Sequence, residues 1–254
     1  MFRLHTADDI FSMRHAPSWL MLCFSAGMVN ATAFLACQRF VTHITGTVTH
    51  LGVQLTQWVI ALDFALVIVC FTAGAMLAGL LINGRAHREK WPLFSAPMWL
   101  VVAMIAGVGL AGHVGLLGPF GGTVDEAGDF VLLCALSFAM GLQNAAVATS
   151  TGQLVRTTHL TGPATDLGVH LAELFSARGA ALEAARRHAL LRAGKVLAYM
   201  LGAAAAVPLA RSYHFVSLLI PAGIVAAATL LSFVYKENVI AAQREGREQI
   251  GNRG

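Results

Sequence analysis

Charged residues are scarce in this chain of 254 amino acids. Asp, Glu, Lys and Arg together make up only 12% of it, about half the share typical of soluble domains. Hydrophobic residues make up 57%, and the mean hydropathy is +0.68. A soluble globule of this size would lack the polar residues needed to cover its surface. The composition therefore predicts an integral membrane protein and excludes collagen-like, disordered and nucleic-acid-binding chains.

Cysteine is also rare, and no two cysteines form a CxxC pair. The four copies all lie in apolar stretches, where they are expected to fill small spaces between helices: Cys23, Cys37, Cys70 and Cys134. The chain also lacks HExxH, GxSxG and P-loop motifs, and no nucleophile-base pair is evident. We therefore expect no metal site, no cofactor and no enzymatic activity.

Long apolar runs are what the sequence has in quantity. Crossing a bilayer takes roughly 20 residues, and six segments are long enough: Ser18–Cys37, Asp63–Ile82, Phe94–Leu117, Asp129–Thr149, Leu190–Leu209 and Phe215–Tyr235. Two shorter segments, Thr45–Ile60 and Thr161–Phe175, have helical periodicity but carry several polar residues. The sequence thus predicts an all-α transmembrane bundle with six spans and two short half-helices.

The placement of Lys and Arg predicts how the spans are oriented. With six spans and cytoplasmic termini, nearly all bases fall on the cytoplasmic side, as the positive-inside rule requires. Only Arg39 and Arg211 remain outside, together with a loop at 117–129 that has three acids and no base. We expect a cytoplasmic segment at 1–17, membrane-embedded parts at 18–118 and 129–235, and a cytoplasmic tail at 236–254.

An internal repeat is the most informative feature of the chain. The run THITGTVTHLGVQL at 42–55 matches THLTGPATDLGVHL at 158–171 in nine of fourteen positions, and GMVNA at 27–31 resembles GLQNA at 141–145. Each half therefore consists of a span, a Thr-Gly motif that opens a short helix, and two further spans. Because three is an odd number, the second repeat is expected to be inverted in the bilayer. Inverted repeats with interrupted helices are common among secondary transporters.

The Thr-Gly motifs are typical of helix N-termini that can bind a polar solute. Thr can cap free N–H groups, Gly lets another group approach the backbone, and a helix N-terminus carries partial positive charge. The alternative is that the motifs only allow close helix packing, with Thr bonded back to its own helix. The residues of the two motifs predicted to bind solute are Thr45, Gly46, Thr49, Thr161, Gly162 and Thr165.

Polar residues near the motifs complete the predicted site. Asn30, Gln143 and Asn144 lie within spans, where amides face a cavity or bond to another helix, and we expect them to orient the solute. Histidine titrates near neutral pH, although an interfacial position is the alternative for the two motif histidines. The candidates for proton coupling are His43, His159 and Asp166.

At these motifs the chain resembles the YoaK-like family of bacterial inner-membrane proteins, domain of unknown function 1275. The likeness covers residues 18–235 and rests on FVTHITG at 40–46, MGLQNA at 140–145 and TTHLTG at 157–162. It implies a multi-pass protein of the inner (plasma) membrane and brings no established substrate. In that family Asp is frequent where Asn30 stands, and Asn where Thr47 stands.

The sequence favours a transporter or permease-like protein that binds a small polar or anionic solute between the two Thr-Gly half-helices. Its expected partners are the lipid bilayer and that solute, with no nucleic acid. The alternative is a non-transporting scaffold or partner subunit in which the motifs only pack helices. The solute, the direction, the coupling ion and the oligomeric state stay open, a homo-oligomer being one alternative.

Overall fold

A computed structural model describes residues 3–121 and 127–251, so residues 122–126 of the acidic loop and the extreme ends of both terminal segments lie outside it. The described part is helical and contains no strand. Its helices are α1 (Ala7–Phe11), α2 (Ala16–Cys37), α3 (Ile44–Val53), α4 (Trp58–Gly79), α5 (Ser95–His113), α6 (Ala127–Ser150), α7 (Thr161–Ser176), α8 (Ala180–Tyr213), α9 (Leu219–Ala228) and α10 (Tyr235–Gly251). Two π-helical segments follow α4 and α9, at Leu80–Gly84 and Thr229–Val234, and a 3₁₀ segment, His214–Leu218, joins α8 to α9.

Among the described residues, five helical stretches are long and apolar enough to cross a membrane. They are Ala16–Cys37, Ile60–Gly84, Ser95–His113, Ala127–Ser150 and Ala180–Gln243. The first four correspond to the first four predicted spans. The fifth is 64 residues long and contains both remaining predicted spans, because the 3₁₀ segment His214–Leu218 joins α8 directly to α9. The prediction of an all-helical membrane protein is confirmed.

The long fifth stretch changes direction at His214, whose φ is +48°. Just beyond it, Phe215 packs against the C-terminal part of α5, where a Cβ on Gly112 would overlap its ring. At the other end, Glu237 Oε1 accepts a hydrogen bond of 3.0 Å from the backbone N–H of Ser95, at the start of α5. Residues 215–237 therefore run antiparallel to α5, and a carboxylate lies at the positive end of that helix.

Glycine permits a very close crossing between α2 and α8. A Cβ on Gly27 would overlap the carbonyl oxygen of Tyr199, and a Cβ on Gly202 would overlap the carbonyl oxygen of Phe24. The two backbones thus touch directly, each helix supplying one glycine. Such small-residue contacts are a common way for membrane helices to pack.

A second crossing, between α4 and α6, has the same construction. A Cβ on Gly141 would overlap the carbonyl oxygen of Phe71, and a Cβ on Gly74 would overlap that of Phe138. A larger side chain at either glycine would push the helices apart. The two crossings hold the motif segments, which follow α2 and α6, close to the middle of α8 and α4.

The N-terminal segment packs against the start of the bundle and is tied to α10. Thr6 and Asp9 form a capping box on α1, and Asp9 also accepts hydrogen bonds of 2.8 and 2.9 Å from Lys236 Nζ. His5 is only 1% exposed and lies edge-on to Trp19. Among the described residues, neither ring nitrogen of His5 has a hydrogen-bond partner.

Burial controls the charge of this terminal cluster. Burial, helped by the nearby His15, lowers the pKa of His5 to about 3, so its imidazole is neutral over the physiological range. Burial alone would raise the pKa of Asp9, but hydrogen bonds from Lys236 and Thr6 outweigh it and hold that pKa at about 2. The cluster therefore combines a neutral buried ring with a charged pair at its edge.

Candidate functional site

A cavity of about 660 Å³ lies where the two motif segments meet. Its wall is formed by seven pairs of residues, one member from each half of the chain. The pairs are Asn30 and Asn144, Phe40 and Arg156, Thr42 and Thr158, His43 and His159, Ile44 and Leu160, Thr45 and Thr161, and Tyr199 and Phe71. The first six pairs occupy equivalent positions of the sequence repeat. The segments that open α3 and α7 therefore share one cavity.

Asn30 and Asn144 fasten the two motif segments in the same way. Asn30 Oδ1 accepts hydrogen bonds of 3.0 Å from both backbone N–H groups of residues 41–42. Asn144 Oδ1 accepts the matching bonds, of 3.2 and 3.4 Å, from residues 157–158. Buried N–H groups need acceptors, which explains why an amide stands at each position. Both asparagines also line the cavity wall.

Each motif histidine folds back over the glycine three residues later. His159 Nε2 accepts a hydrogen bond of 3.3 Å from the backbone N–H of Gly162. His43 lies so close to Gly46 that a Cβ there would overlap its ring. The glycines therefore make room for an imidazole that covers the first helical turn. An Nε2 that accepts a hydrogen bond belongs to a neutral ring with its proton on Nδ1.

Thr49 and Thr165, which occupy equivalent positions in the two motif helices, bond to their own helices. Thr49 Oγ1 donates to the carbonyl oxygen of Thr45, and Thr165 Oγ1 donates to that of Thr161, both at 3.1 Å. Thr49 and Thr165 are exposed and lie outside the cavity wall. The structure thus brings Thr45 and Thr161 together and leaves Thr49 and Thr165 apart from them.

Gln143 and Asp166, the remaining predicted residues, also lie outside the wall. Gln143 is fully buried, and its Nε2 donates to the carbonyl oxygen of Leu22 at 3.2 Å and to Thr157 Oγ1 at 3.1 Å. Asp166 forms an ion pair of 3.0 Å with Arg192. The first joins α6 to α2, and the second joins α7 to α8.

Positive charge is concentrated beside the second motif. Arg156 is the one permanently charged residue in the described wall; its Nη2 donates to Gln153 Oε1 at 3.0 Å, and no described carboxylate pairs with it. Lys195 of α8 is 1% exposed. Burial, followed by the positive charges of Arg156 and Lys195, lowers the pKa of His159. The wall therefore has a cationic side.

A pair of hydroxyl groups is present on one side of the cavity, and only one of the two hydroxyls is present at the equivalent position on the other side. Thr42 Oγ1 lies 2.7 Å from the hydroxyl oxygen of Tyr199. In the matched pair Phe71 replaces the tyrosine, and the buried Thr158 Oγ1 has no hydrogen-bond partner among the described residues. A buried hydroxyl without a partner costs roughly 1–3 kcal/mol. Such a group requires an explanation, since native structures contain few of them.

Sequence reasoning missed eight residues of the described wall: Phe40, Thr42, Ile44, Phe71, Arg156, Thr158, Leu160 and Tyr199. Two of them, Thr42 and Thr158, begin the matched runs of the repeat, so the repeat itself contained the signal that they are equivalent. Phe71 and Tyr199 lie in apolar spans without such a signal. Only the helix crossings bring them to the cavity.

These features define an all-helical membrane protein with a cavity between two helix-opening motifs. The chain belongs to the family described as protein of unknown function (DUF1275), whose family model matches residues 18–231. The resemblance to domain of unknown function 1275, seen in the motif runs, is thereby confirmed. No curated protein and no solved structure matches the chain.

Proposed function

We propose that this protein is a transporter or permease with six spans, built as two inverted three-span repeats. It carries a small polar or anionic solute through the cavity between the Thr-Gly helices. The paired wall is the observation that supports this proposal. A site shared by two inverted repeats lies on the axis that relates them, so equivalent residues from both copies meet there.

The helix crossings support the repeat as well. Exchanging the halves replaces α2 by α6 and α8 by α4, which turns one glycine crossing into the other. Gly27 at the carbonyl of Tyr199 then corresponds to Gly141 at the carbonyl of Phe71. Unrelated helices would have no reason to reproduce this contact in register.

Six crossings are supported by the length of the fifth apolar stretch. Its 64 residues would extend over roughly 96 Å as one straight helix, about three times the hydrocarbon thickness. The turn at His214 divides it into two segments of suitable length. The Asp9–Lys236 ion pair favours an even number of crossings, because it joins the two terminal segments on one side of the membrane.

Topology can be tested with a reporter that is active only outside the cytoplasm. Fused between Gly121 and Gly122, at the edge of the described residues, the reporter should be active, because the acidic loop is proposed to lie outside. Fused next to Glu89, among three bases, it should be silent. The reverse pattern would exclude the proposed orientation.

Transport can be tested by filling the cavity. In proteoliposomes, labelled acetate, benzoate, glycerol and urea serve as probes, and flux of at least one should exceed that of protein-free liposomes. Thr161→Trp places a bulky ring in the wall and should abolish that flux. Thr165→Trp adds the same volume one helical turn away, outside the wall, and should leave it unchanged.

A second function, a non-transporting scaffold or partner subunit, is favoured by bonds that leave these groups unavailable to a solute. Thr49 and Thr165 each bond back to their own helix, and Gln143 bonds from α6 to α2. For a scaffold, no probe should move faster than in protein-free liposomes. Thr161→Trp and Thr165→Trp would then have the same effect as each other on flux and on stability.

A further inference from the structure

The two sides of the cavity are matched in position but differ in chemistry. Where one side has Phe40 the other has Arg156, and where one has Tyr199 the other has Phe71. A symmetric site would hold a solute equally well in two orientations. These two exchanges remove that equivalence, so the wall distinguishes one end of a solute from the other.

The side of the second motif is suited to a negative group. Arg156 offers a guanidinium that no described carboxylate neutralises. No Asp or Glu contributes to the described wall. Arginine binds carboxylates through paired, charge-assisted hydrogen bonds.

Thr158 provides an independent observation on the same side. It is 4% exposed, and its hydroxyl lacks the partner that Tyr199 gives to Thr42. An acceptor brought by a ligand would satisfy this hydroxyl. The unpaired group and the unpaired charge are separated by only one residue in the chain, so both point to the same end of a ligand.

The opposite side is suited to an apolar ring. Phe40 stacks on Phe34 with ring centroids 4.6 Å apart and planes 10° from parallel, which makes a flat aromatic surface. Tyr199 completes this side, its hydroxyl already engaged by Thr42. The cavity of about 660 Å³ is within the range of small-molecule sites and much larger than an inorganic anion needs.

We infer that the cavity binds a monocarboxylate with an aromatic or ring-sized apolar body. The carboxylate lies beside Arg156 and Thr158, and the body lies against Phe40 and Tyr199. This assignment rests on the proposed function and names the solute class for the same site.

Binding to the purified full-length protein in detergent, measured by calorimetry, tests the assignment. Four probes vary one feature at a time: benzoate, acetate, benzyl alcohol and benzylamine. Benzoate should bind at least about tenfold more tightly than each of the other three, because only benzoate has both the charge and the body. Thr161→Trp should abolish benzoate binding and Thr165→Trp should preserve it, which assigns the signal to the cavity rather than to the detergent.

Variants then separate the two ends of the ligand. Arg156→Gln should weaken benzoate binding about tenfold or more and leave benzyl alcohol unchanged, as expected for loss of a charge-assisted bond. Arg178→Gln makes the same charge change at a position outside the described wall and should have no effect. Phe71→Tyr should weaken benzoate binding severalfold, because the new hydroxyl occupies Thr158 as Tyr199 occupies Thr42.

The outcomes distinguish this assignment from the transport proposal. If benzyl alcohol or benzylamine binds as tightly as benzoate, or if Arg156→Gln has no effect, the carboxylate assignment is overturned while a solute-binding cavity remains. If glycerol or urea crosses the membrane, Thr161→Trp stops that flux and benzoate does not bind, the carboxylate assignment is likewise overturned while the transport proposal remains. If no probe binds or crosses, both proposals are overturned.

Discussion

The hydroxyl oxygens of Thr42 and Tyr199 lie 2.7 Å apart, which joins the turn before α3 to the middle of α8. The contact exists because Gly27 lets α8 approach α2 until their backbones touch. The contact between Thr42 and Tyr199, which lie in different halves of the chain, thus depends on Gly27.

Removing this contact should destabilise the protein measurably. Tyr199→Phe leaves the hydroxyl of Thr42 without its partner, so we expect the free energy of unfolding to fall by about 1 kcal/mol. Thermal unfolding in detergent measures the effect. Tyr213→Phe, at a residue 60% exposed, is the control and should change little; equal effects of the two substitutions would contradict the proposed role of the contact.

Substitutions of Asn30 should separate its acceptor from its donor. Asn30→Leu leaves two buried backbone N–H groups without an acceptor and should lower the free energy of unfolding by roughly 2 kcal/mol or more. Asn30→Asp retains an oxygen for both bonds and should unfold close to the wild-type temperature. A variant with Asp that is as unstable as the variant with Leu would show that the acceptor is not what matters.

The glycines at the crossings should not tolerate a methyl group. Gly202→Ala forces α8 away from the carbonyl of Phe24, and overpacking of this kind costs about 1–3 kcal/mol. Gly107→Ala in α5 meets no atom within 4 Å and should be neutral or stabilising, because Ala favours helix over Gly by about 1 kcal/mol. Opposite shifts in unfolding temperature are therefore expected, and shifts of the same sign would argue against a close crossing.

The terminal cluster should make stability depend on pH. His5 is neutral when folded, with a pKa of about 3 in place of the usual 6.5, so the unfolded chain binds its proton first. Its contribution to stability is complete above about pH 6.5 and is lost as the pH falls toward 3. The pKa of His15 is also lowered, chiefly by burial, and acts in the same direction. The Asp9–Lys236 pair is lost only at lower pH, as the pH approaches 2.

His5→Phe should reduce this dependence while preserving the packing against Trp19. Unfolding temperatures measured between about pH 7 and pH 4 should fall less steeply for the variant than for the wild type. His87→Gln, at an exposed position, should follow the wild-type profile. If His5→Phe loses stability as steeply as the wild type, protonation of His5 is not the cause.

The helices could be predicted from sequence because each depends on a local run of residues: α2 begins at Ala16, two residues before the predicted Ser18. Half of the predicted site residues reach the cavity, since the repeat places Thr45 and Thr161 at helix starts. Which threonine of each helix faces the cavity could not be predicted. Thr45 and Thr49 lie on the same face of α3, and the sequence does not reveal that only the first turn of the helix borders the cavity. Tyr199 and Phe71 depend on crossings between distant helices, which no local pattern encodes.

The link from Asp9 to Lys236 has a consequence for biosynthesis. The N-terminal segment is made before the groups that hold it, which are Trp19 of α2, Ser150 of α6 and Lys236 of α10. The segment therefore gains its contacts in the order in which α2, α6 and α10 are made, and the Asp9–Lys236 pair is the last of these contacts to form. A chain truncated before Lys236 would lack this ion pair but would keep the contacts of the segment with Trp19 and Ser150.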